Sequence, residues 1–376
     1  MDNKELREDH PRLPVYEPGS DTLYFRDGVI TSGVVHTISE IFREHPACIN
    51  LIIRNSCIEN ERVVDDLANL ISTTSRLSGI GFDNVGLDHT SIERLFAKDI
   101  RGIRIISLLN ENIGDLGAIC LSNYICDSSL EFLCVCNCGI ESRGVRHLID
   151  AMPTATMKVL DLSKNDIHED VVVHLANIIP RTRLIHLNLN SINITRRGLE
   201  AICAAPTDTL VTYEFASNRL SNDHLLPILL LIALRQVKRV VLYNNLIDDV
   251  GANKLFSAID VNQDFECIDL RSNVRITDQS VDCIIIAVHE HYCLRRILLD
   301  GTSVSEKGMY SVSRKLRANH KSRINARRFL YKSRRLRLPN TYMFGRGFLC
   351  KRVDIYRRTN VRFVISRALY LLGDDL

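Results

Sequence analysis

Four side chains of the kinds that bind metals stand close together at His289, Glu290, His291 and Cys293. A metal needs such donors converging on one point. Adjacent residues of a helix point in different directions, and this run falls where a helix gives way to the next strand, so it reads as a surface loop. Cys134, Cys136 and Cys138 alternate along one strand and read as free thiols of a reducing compartment. His186 lies on a strand flanked by strands carrying Asp161 and Glu214, a grouping that can couple an acid to a base. The sequence offers no nucleophile beside it, no Gly-rich phosphate loop followed by Lys-Ser or Lys-Thr, and no Gly-x-Ser-x-Gly elbow, so polar recognition is the better reading. No catalytic residue, cofactor or metal is assigned, and the chain is expected not to be an enzyme.

The elements that must carry these side chains come from a repeat. Ten segments share one frame, starting at Cys48, Leu77, Ile103, Leu130, Met157, Leu184, Leu210, Val237, Phe265 and Leu294, at spacings of 26 to 29 residues. Each reads apolar-x-x-apolar-x-apolar, as in Met157, Leu160, Leu162, Asn165 and Ile167. Period two over the middle positions predicts a short strand. Asn165, Asn218, Asn245 and Asn273 recur three residues after the second strand apolar. An inward Asn there can bond the peptide groups that a turn leaves unpaired. Val85 and Ile192 occupy the same place and interrupt the series. The second half of each unit has helical spacing, with Gly117, Gly144, Gly198, Gly251 or Gly308 in the first turn, where a missing side chain lets the helix approach the strand layer. A strand, a turn and a helix in one such unit cannot bury a core alone, whereas stacked copies can.

The frame resembles the ribonuclease-inhibitor-like class of leucine-rich repeats, whose units run LxxLxLxxNxIxxxGxxxL. Met157 to Leu175 and Val237 to Leu255 carry the match, the former without its Gly. The resemblance implies a curved α/β solenoid of about 10–11 repeats, parallel strands concave and helices convex, over residues 20–320. Leu23, Phe25, Ile30, Val34 and Ile38 keep the same offsets as an N-terminal cap repeat, preceded by a segment 1–19. Ran GTPase-activating proteins use this repeat class, which makes a GTPase-regulatory role one alternative. No functional residue carries over from them, and their acidic C-terminal region contrasts with the basic one here.

Residues 321–376 hold 15 Lys or Arg against 3 Asp or Glu, while residues 1–320 hold 33 against 42. A net −9 solenoid thus carries a net +12 extension, an asymmetry that speaks of partners. Arg327, Arg328, Arg334, Arg335, Arg337, Lys351, Arg352, Arg357 and Arg358 interleave with eight of the chain's 23 Phe and Tyr. Disordered basic tails are poor in aromatics, so this one is expected to fold, alone or on something. It can anchor on an acidic polymer (a filament surface or nucleic acid, including RNA), fold back on its own solenoid, or serve as a cap. Leu225 to Leu234 is about half a membrane span and contains Pro227, so it reads as a buried outer-face helix. With no charged-then-apolar leader, the expected location is the cytoplasm, in a cytoskeletal or ciliary assembly, not the secreted space.

Residues between the strand apolars should point outward from the concave sheet. Ile105, Leu109, Phe132, Cys134 and Cys136 would form an apolar patch there. Asp161, His186, Asn188, Glu214, Tyr243, Asp269, Arg271, Arg296 and Asp300 would form a polar, partly acidic stretch. Such a face is expected to bind a protein partner, with Phe132, Tyr243 and Arg271 as anchors; the alternative is that neighbouring strand residues shield one another. On the first reading, Phe132→Asp removes binding without lowering the melting temperature.

Overall fold

A computed structural model describes residues 13–319 apart from 18–19, 98–99, 101, 127, 235 and 292. The basic residues from Arg327 to Arg358 lie outside the described residues. The chain divides into two compact units, one holding the repeats up to Val171 and the other running on from Leu184.

In the first unit, Thr22–Arg26, Asn50–Arg54, Gly79–Asp83, Ile105–Leu109, Phe132–Cys136 and Val159–Asp161 are successive parallel neighbours in a sheet. Val15–Tyr16 pairs antiparallel with Thr22–Arg26, so part of the 1–19 segment belongs to the sheet and covers its first edge. The helices Ser32–Glu44, Glu61–Thr73, His89–Phe96, Gly114–Cys126 and Ser142–Ala151 alternate with these strands. In the second unit, His186–Asn188, Thr212–Glu214, Arg239–Val241, Cys267–Asp269 and Arg296–Leu298 are parallel in turn. Arg196–Ala204, Leu225–Leu234, Asp249–Val261 and Val281–Glu290 alternate with them.

The helices begin where a side chain can satisfy a free backbone donor. Thr31, Asn60, Asp88, Thr195 and Asp248 each accept an N–H from the first turn that follows them. The glycines of the frame do permit close approach, but to the preceding helix and not to the strand layer. A Cβ at Gly144 would lie 2.8 Å from the Cα of Asp115, in the first turn of Gly114–Cys126. Leu225–Leu234 is a helix, as its apolar run implied, yet it is buried on one side only: Leu226 and Leu230 are exposed. No described helix is long and apolar enough to cross a membrane.

Inside each unit, the recurrent asparagines stitch one repeat to the one before it. Asn245 Oδ1 accepts the N–H of Asn218 and of Leu220 at 3.1 and 3.0 Å, and its Nδ2 donates to the carbonyls of Phe215 and Leu242, both at 3.0 Å. Asn165 repeats the pattern with Cys138, Ile140 and Val135, and Asn218 with Ile192, Ile194 and Leu189. Ile192 therefore interrupts the row of side chains but leaves its own N–H satisfied.

At Val85 a different residue intervenes. Glu111 holds the asparagine's place in its repeat, is 2% exposed, and accepts the N–H groups of Val85, Gly86 and Leu87 at 2.8, 2.9 and 2.7 Å. Burial pushes its carboxyl up to about 7, against the pull of those three N–H bonds.

Each buried group left unbonded costs about 1–3 kcal/mol, and Asn245 serves four. Asn245→Ala should therefore lower the unfolding free energy by about 3 kcal/mol or more in urea titrations. The exposed neighbour substitution Leu246→Ala should stay within about 0.5 kcal/mol. Equal losses from the two would remove the ladder from the list of stabilising features.

Candidate protein-binding face

Strand register decides which side chains share a face. In the first unit Ile105, Phe132 and Val159 stand abreast, as do Ser107, Cys134 and Asp161, and Leu109 and Cys136. The core residues Leu133 and Val135 alternate with them on the helix side. In the second unit His186, Thr212, Arg239, Cys267 and Arg296 form one row, and Asn188, Glu214, Val241, Asp269 and Leu298 the next. Tyr243, Arg271 and Asp300 continue the same alternation past the strand ends. The register thus puts the residues singled out in the sequence on the sheet face turned away from the helices.

Their exposure differs from the expected open patch. Ile52, Ile105, Phe132, Cys134 and Val159 form a buried apolar cluster, with Tyr24, Leu109 and Cys136 packed against it. Phe132 is 2% exposed and Cys134 is fully buried. Side chains on neighbouring parallel strands stand about 4.8 Å apart, so a row of large apolar residues covers itself. Gly81 leaves the space into which Ile52 leans, its Cγ1 lying 3.6 Å from where a Cβ would be. Phe132 is therefore a packing residue, and its expected role as an accessible anchor is corrected. Burial pushes the Cys134 and Cys136 thiols up, with Asp161 adding to the effect. Cys138 leaves that face and points into the ladder, its Sγ 3.4 Å from the Leu108 carbonyl.

The acidic residues of the face are largely committed to their own surroundings. Asp161 Oδ1 accepts the Ser163 N–H at 2.9 Å, Asn188 Oδ1 that of Asn190 at 2.9 Å, and Asp269 Oδ1 that of Arg271 at 3.1 Å. This side chain to backbone bond two residues on closes the turn after each strand. Asp269, with no exposed surface, also takes the Arg271 guanidinium on both oxygens. Glu214 Oε1 lies 3.0 Å from His186 Nε2, and its other oxygen accepts from Asn190 Nδ2 at 3.1 Å. Burial acts to raise the Glu214 carboxyl, but His186, Arg239 and Asn190 outweigh it and bring it down to about 2.

What remains accessible is concentrated in the second unit. The Arg271 guanidinium lies over the Tyr243 ring, 5.4 Å from its centre, while Tyr243 is 37% exposed. Arg296 and Asp300 are exposed as well. The His289–Cys293 cluster does not form: His289 is exposed, whereas His291 is fully buried. His291 Nδ1 accepts the Leu294 N–H at 2.9 Å, and its Nε2 lies 2.6 Å from the Asn262 carbonyl. It is a core pin of the turn and not part of a surface loop. Among the described residues no group of three or more His, Cys, Asp or Glu could hold a metal. Sequence reasoning also passed over the bridge Arg104–Glu131–Lys158, in which the Glu131 carboxylate joins cations from the repeats on either side. Its signal was alternating charge at one fixed place in the frame.

No protein-family model matches the chain, and no curated protein matches it. Among solved structures, the yeast Rad7 and Elc1 complex is similar over 77% of this chain and 78% of that chain, at 15% identity and a TM-score of 0.51. The tropomodulin C-terminal domain of Caenorhabditis elegans is similar over 43% of this chain and 98% of that one, at 16% identity and a TM-score of 0.37. TLR13 in its complex with ssRNA13 is similar over 65% and 39%, at 9% identity and a TM-score of 0.39. At such identities the likeness is one of fold. The fold is of the leucine-rich-repeat type, an α/β solenoid in which parallel strands alternate with helices.

Two outcomes follow from this geometry. Phe132→Asp buries a carboxylate among Ile105, Cys134 and Val159, so it should lower the melting temperature sharply, with a loss of about 3 kcal/mol or more; an unchanged melt would restore Phe132 as an exposed anchor. Glu214 has a folded value of about 2 against an ordinary 4.5. Its stabilisation is therefore present above about pH 4.5 and fades as pH falls toward 2, with a ceiling of about 3 kcal/mol. Glu214→Gln should accordingly cost more stability at about pH 6 than at about pH 3 in urea titrations, and an equal cost at both would discard the ion pair.

Proposed function

We propose that this protein is a non-catalytic interaction scaffold whose sheet face grips a protein partner, while its basic, aromatic extension anchors it to an acidic surface. The observation that carries the reading is the Tyr243–Arg271 pair. An aromatic ring and a guanidinium, the side-chain types that dominate binding energy, stand partly exposed and already fixed. Arg271 is held on Asp269 before any partner arrives, so little side-chain freedom is lost on docking. A structure of similar fold from yeast is of Rad7 in complex with Elc1, which supports a protein as the partner. The residues proposed to take part are those whose register faces outward: Tyr243, Arg271, Arg296 and Asp300 at its accessible end, with His186, Asn188 and Glu214 beside them.

Charge supports the second half of the reading. Residues 321–376 carry a net +12 and eight aromatics, which suits a polyanionic surface such as a filament in a cytoskeletal or ciliary assembly. The two halves of the proposal respond differently to salt, since exposed charges more than about 10 Å apart are screened at 0.1 M.

The test is an affinity capture with the full chain, the Tyr243→Ala/Arg271→Ala variant and residues 1–320, at about 50 and about 300 mM salt. Partners of the face should persist at high salt and be lost with the double variant, while partners of the extension should vanish at high salt and with the truncation. A partner set indifferent to the double variant at both salts would sink the face as the binding site.

A further inference from the structure

The last strand of the sheet has a neighbour on one side only. Arg296–Leu298 pairs with Cys267–Asp269 and with no other described strand, whereas the first edge is covered by Val15–Tyr16. One repeat earlier, the Glu266 carbonyl accepts the N–H groups of Arg295 and Arg296, and the Leu270 N–H donates to the Leu298 carbonyl. The corresponding groups of the last repeat, the Arg295 carbonyl and the Leu299 N–H, have no such bond among the described residues. Apolar side chains are open at the same place. Ala252 and Ile259 of Asp249–Val261 are fully buried, whereas Met309 and Leu316, their counterparts in the last helical stretch 306–319, are only half-buried, as is Leu298. The turn, by contrast, closes on itself. Thr302 Oγ1 donates to the Leu299 carbonyl at 2.6 Å and accepts the Val304 N–H at 3.4 Å. The last repeat therefore lacks a strand beside it, and an open edge is a template for one.

We propose that residues 328–330 of the basic extension are that strand, parallel to Arg296–Leu298, with Phe329 and Tyr331 covering Ile297, Leu299 and Leu316. Ala326, Phe329 and Tyr331 keep the spacing of Phe265, Ile268 and Leu270 and of Leu294, Ile297 and Leu299. In that register the Arg328 N–H donates to the Arg295 carbonyl and the Leu299 N–H to the Leu330 carbonyl. Arg334 falls at the asparagine's place; it cannot act as an inward amide, and the self-closed Thr302 turn needs none. Three residues connect Val261 to Phe265, and six connect Asn319 to Ala326. A tether this short holds the segment at the edge at roughly millimolar effective concentration, which favours it over a second copy of the chain. Arg328 stands abreast of Arg296, and this like-charge contact opposes the pairing. Arg296 is exposed, so salt screens the repulsion, while backbone bonds and two rings act the other way. The pairing is independent of what the sheet face binds, but it makes the start of the extension the last strand of that face.

Amide exchange on the full chain, resolved to single residues by fragmentation mass spectrometry, tests the pairing. The Leu299 N–H should exchange about tenfold or more slower than an unbonded amide. Phe329→Asp/Tyr331→Asp should release Leu299 and leave the amides of Asp249–Val261 protected, whereas Phe344→Asp/Phe348→Asp should change neither. Should the aspartates also expose Asp249–Val261, Phe329→Ala/Tyr331→Ala removes the same contacts without burying charge, and it should release Leu299 selectively. A Leu299 amide that exchanges freely in the full chain would overturn the pairing. So would protection that survives both Phe329/Tyr331 variants, which assigns the edge to another segment, or protection that grows with protein concentration, which assigns it to a second copy.

Discussion

A strand that ends in a turn must find partners for peptide groups that neither the sheet nor a helix can reach. In this chain the partner is a buried side-chain amide from the next repeat, with an oxygen for two N–H groups and an NH2 for the carbonyls opposite. Asparagine fits because it is short and carries both donor and acceptor. Both N–H groups and one of the carbonyls belong to the preceding repeat, so these turns depend on the repeat that follows and the unit gains order by stacking. The sheet register follows from that stacking, and every statement about the outward face follows from the register.

Glu111 shows what happens when the rule is met by different chemistry. A carboxylate supplies acceptors for the three N–H groups from Val85 to Leu87 but, when ionised, no donor. Burial resists its charge while the N–H groups favour it, and burial has the larger influence. A protonated Glu111 is closer to the amide it replaces, since it regains a donor. The raised value is the electrostatic counterpart of occupying an asparagine's place, and Cys138, the ladder residue of the following repeat, makes up part of the difference by donating its thiol to the Leu108 carbonyl.

The frame, the strand starts, the inward asparagines and the outward register were all legible in the sequence, because each depends on local periodicity that a repeat copies many times. Exposure was not. Phe132 alternates like an outward residue and is one, yet Ile105 and Val159 flank it on the neighbouring strands, a relation between three neighbouring repeats that no single segment displays. His291 misled for a similar reason: in sequence it is one of a polar pair at a helix end, while its ring spans the backbone of Asn262 and Leu294. The role of the frame's glycines was legible in kind but not in direction, since the surface approached belongs to the preceding repeat's helix.

Composition misjudged the outward face for a deeper reason. Counting Asp161, Glu214 and Asp269 as acidic surface assumes that their charge reaches solvent. Two of them instead close the turn at the end of their own strand, and the third holds a histidine. A carboxylate committed in this way still contributes to net charge but offers no free acceptor. What a partner meets is the remainder after these internal bonds are made: an aromatic ring, a guanidinium fixed over it, and the exposed Arg296 and Asp300. The recognition chemistry of such a repeat protein is therefore read from which hydrogen-bonding groups its own turns have left over, and only then from which residues its strands display.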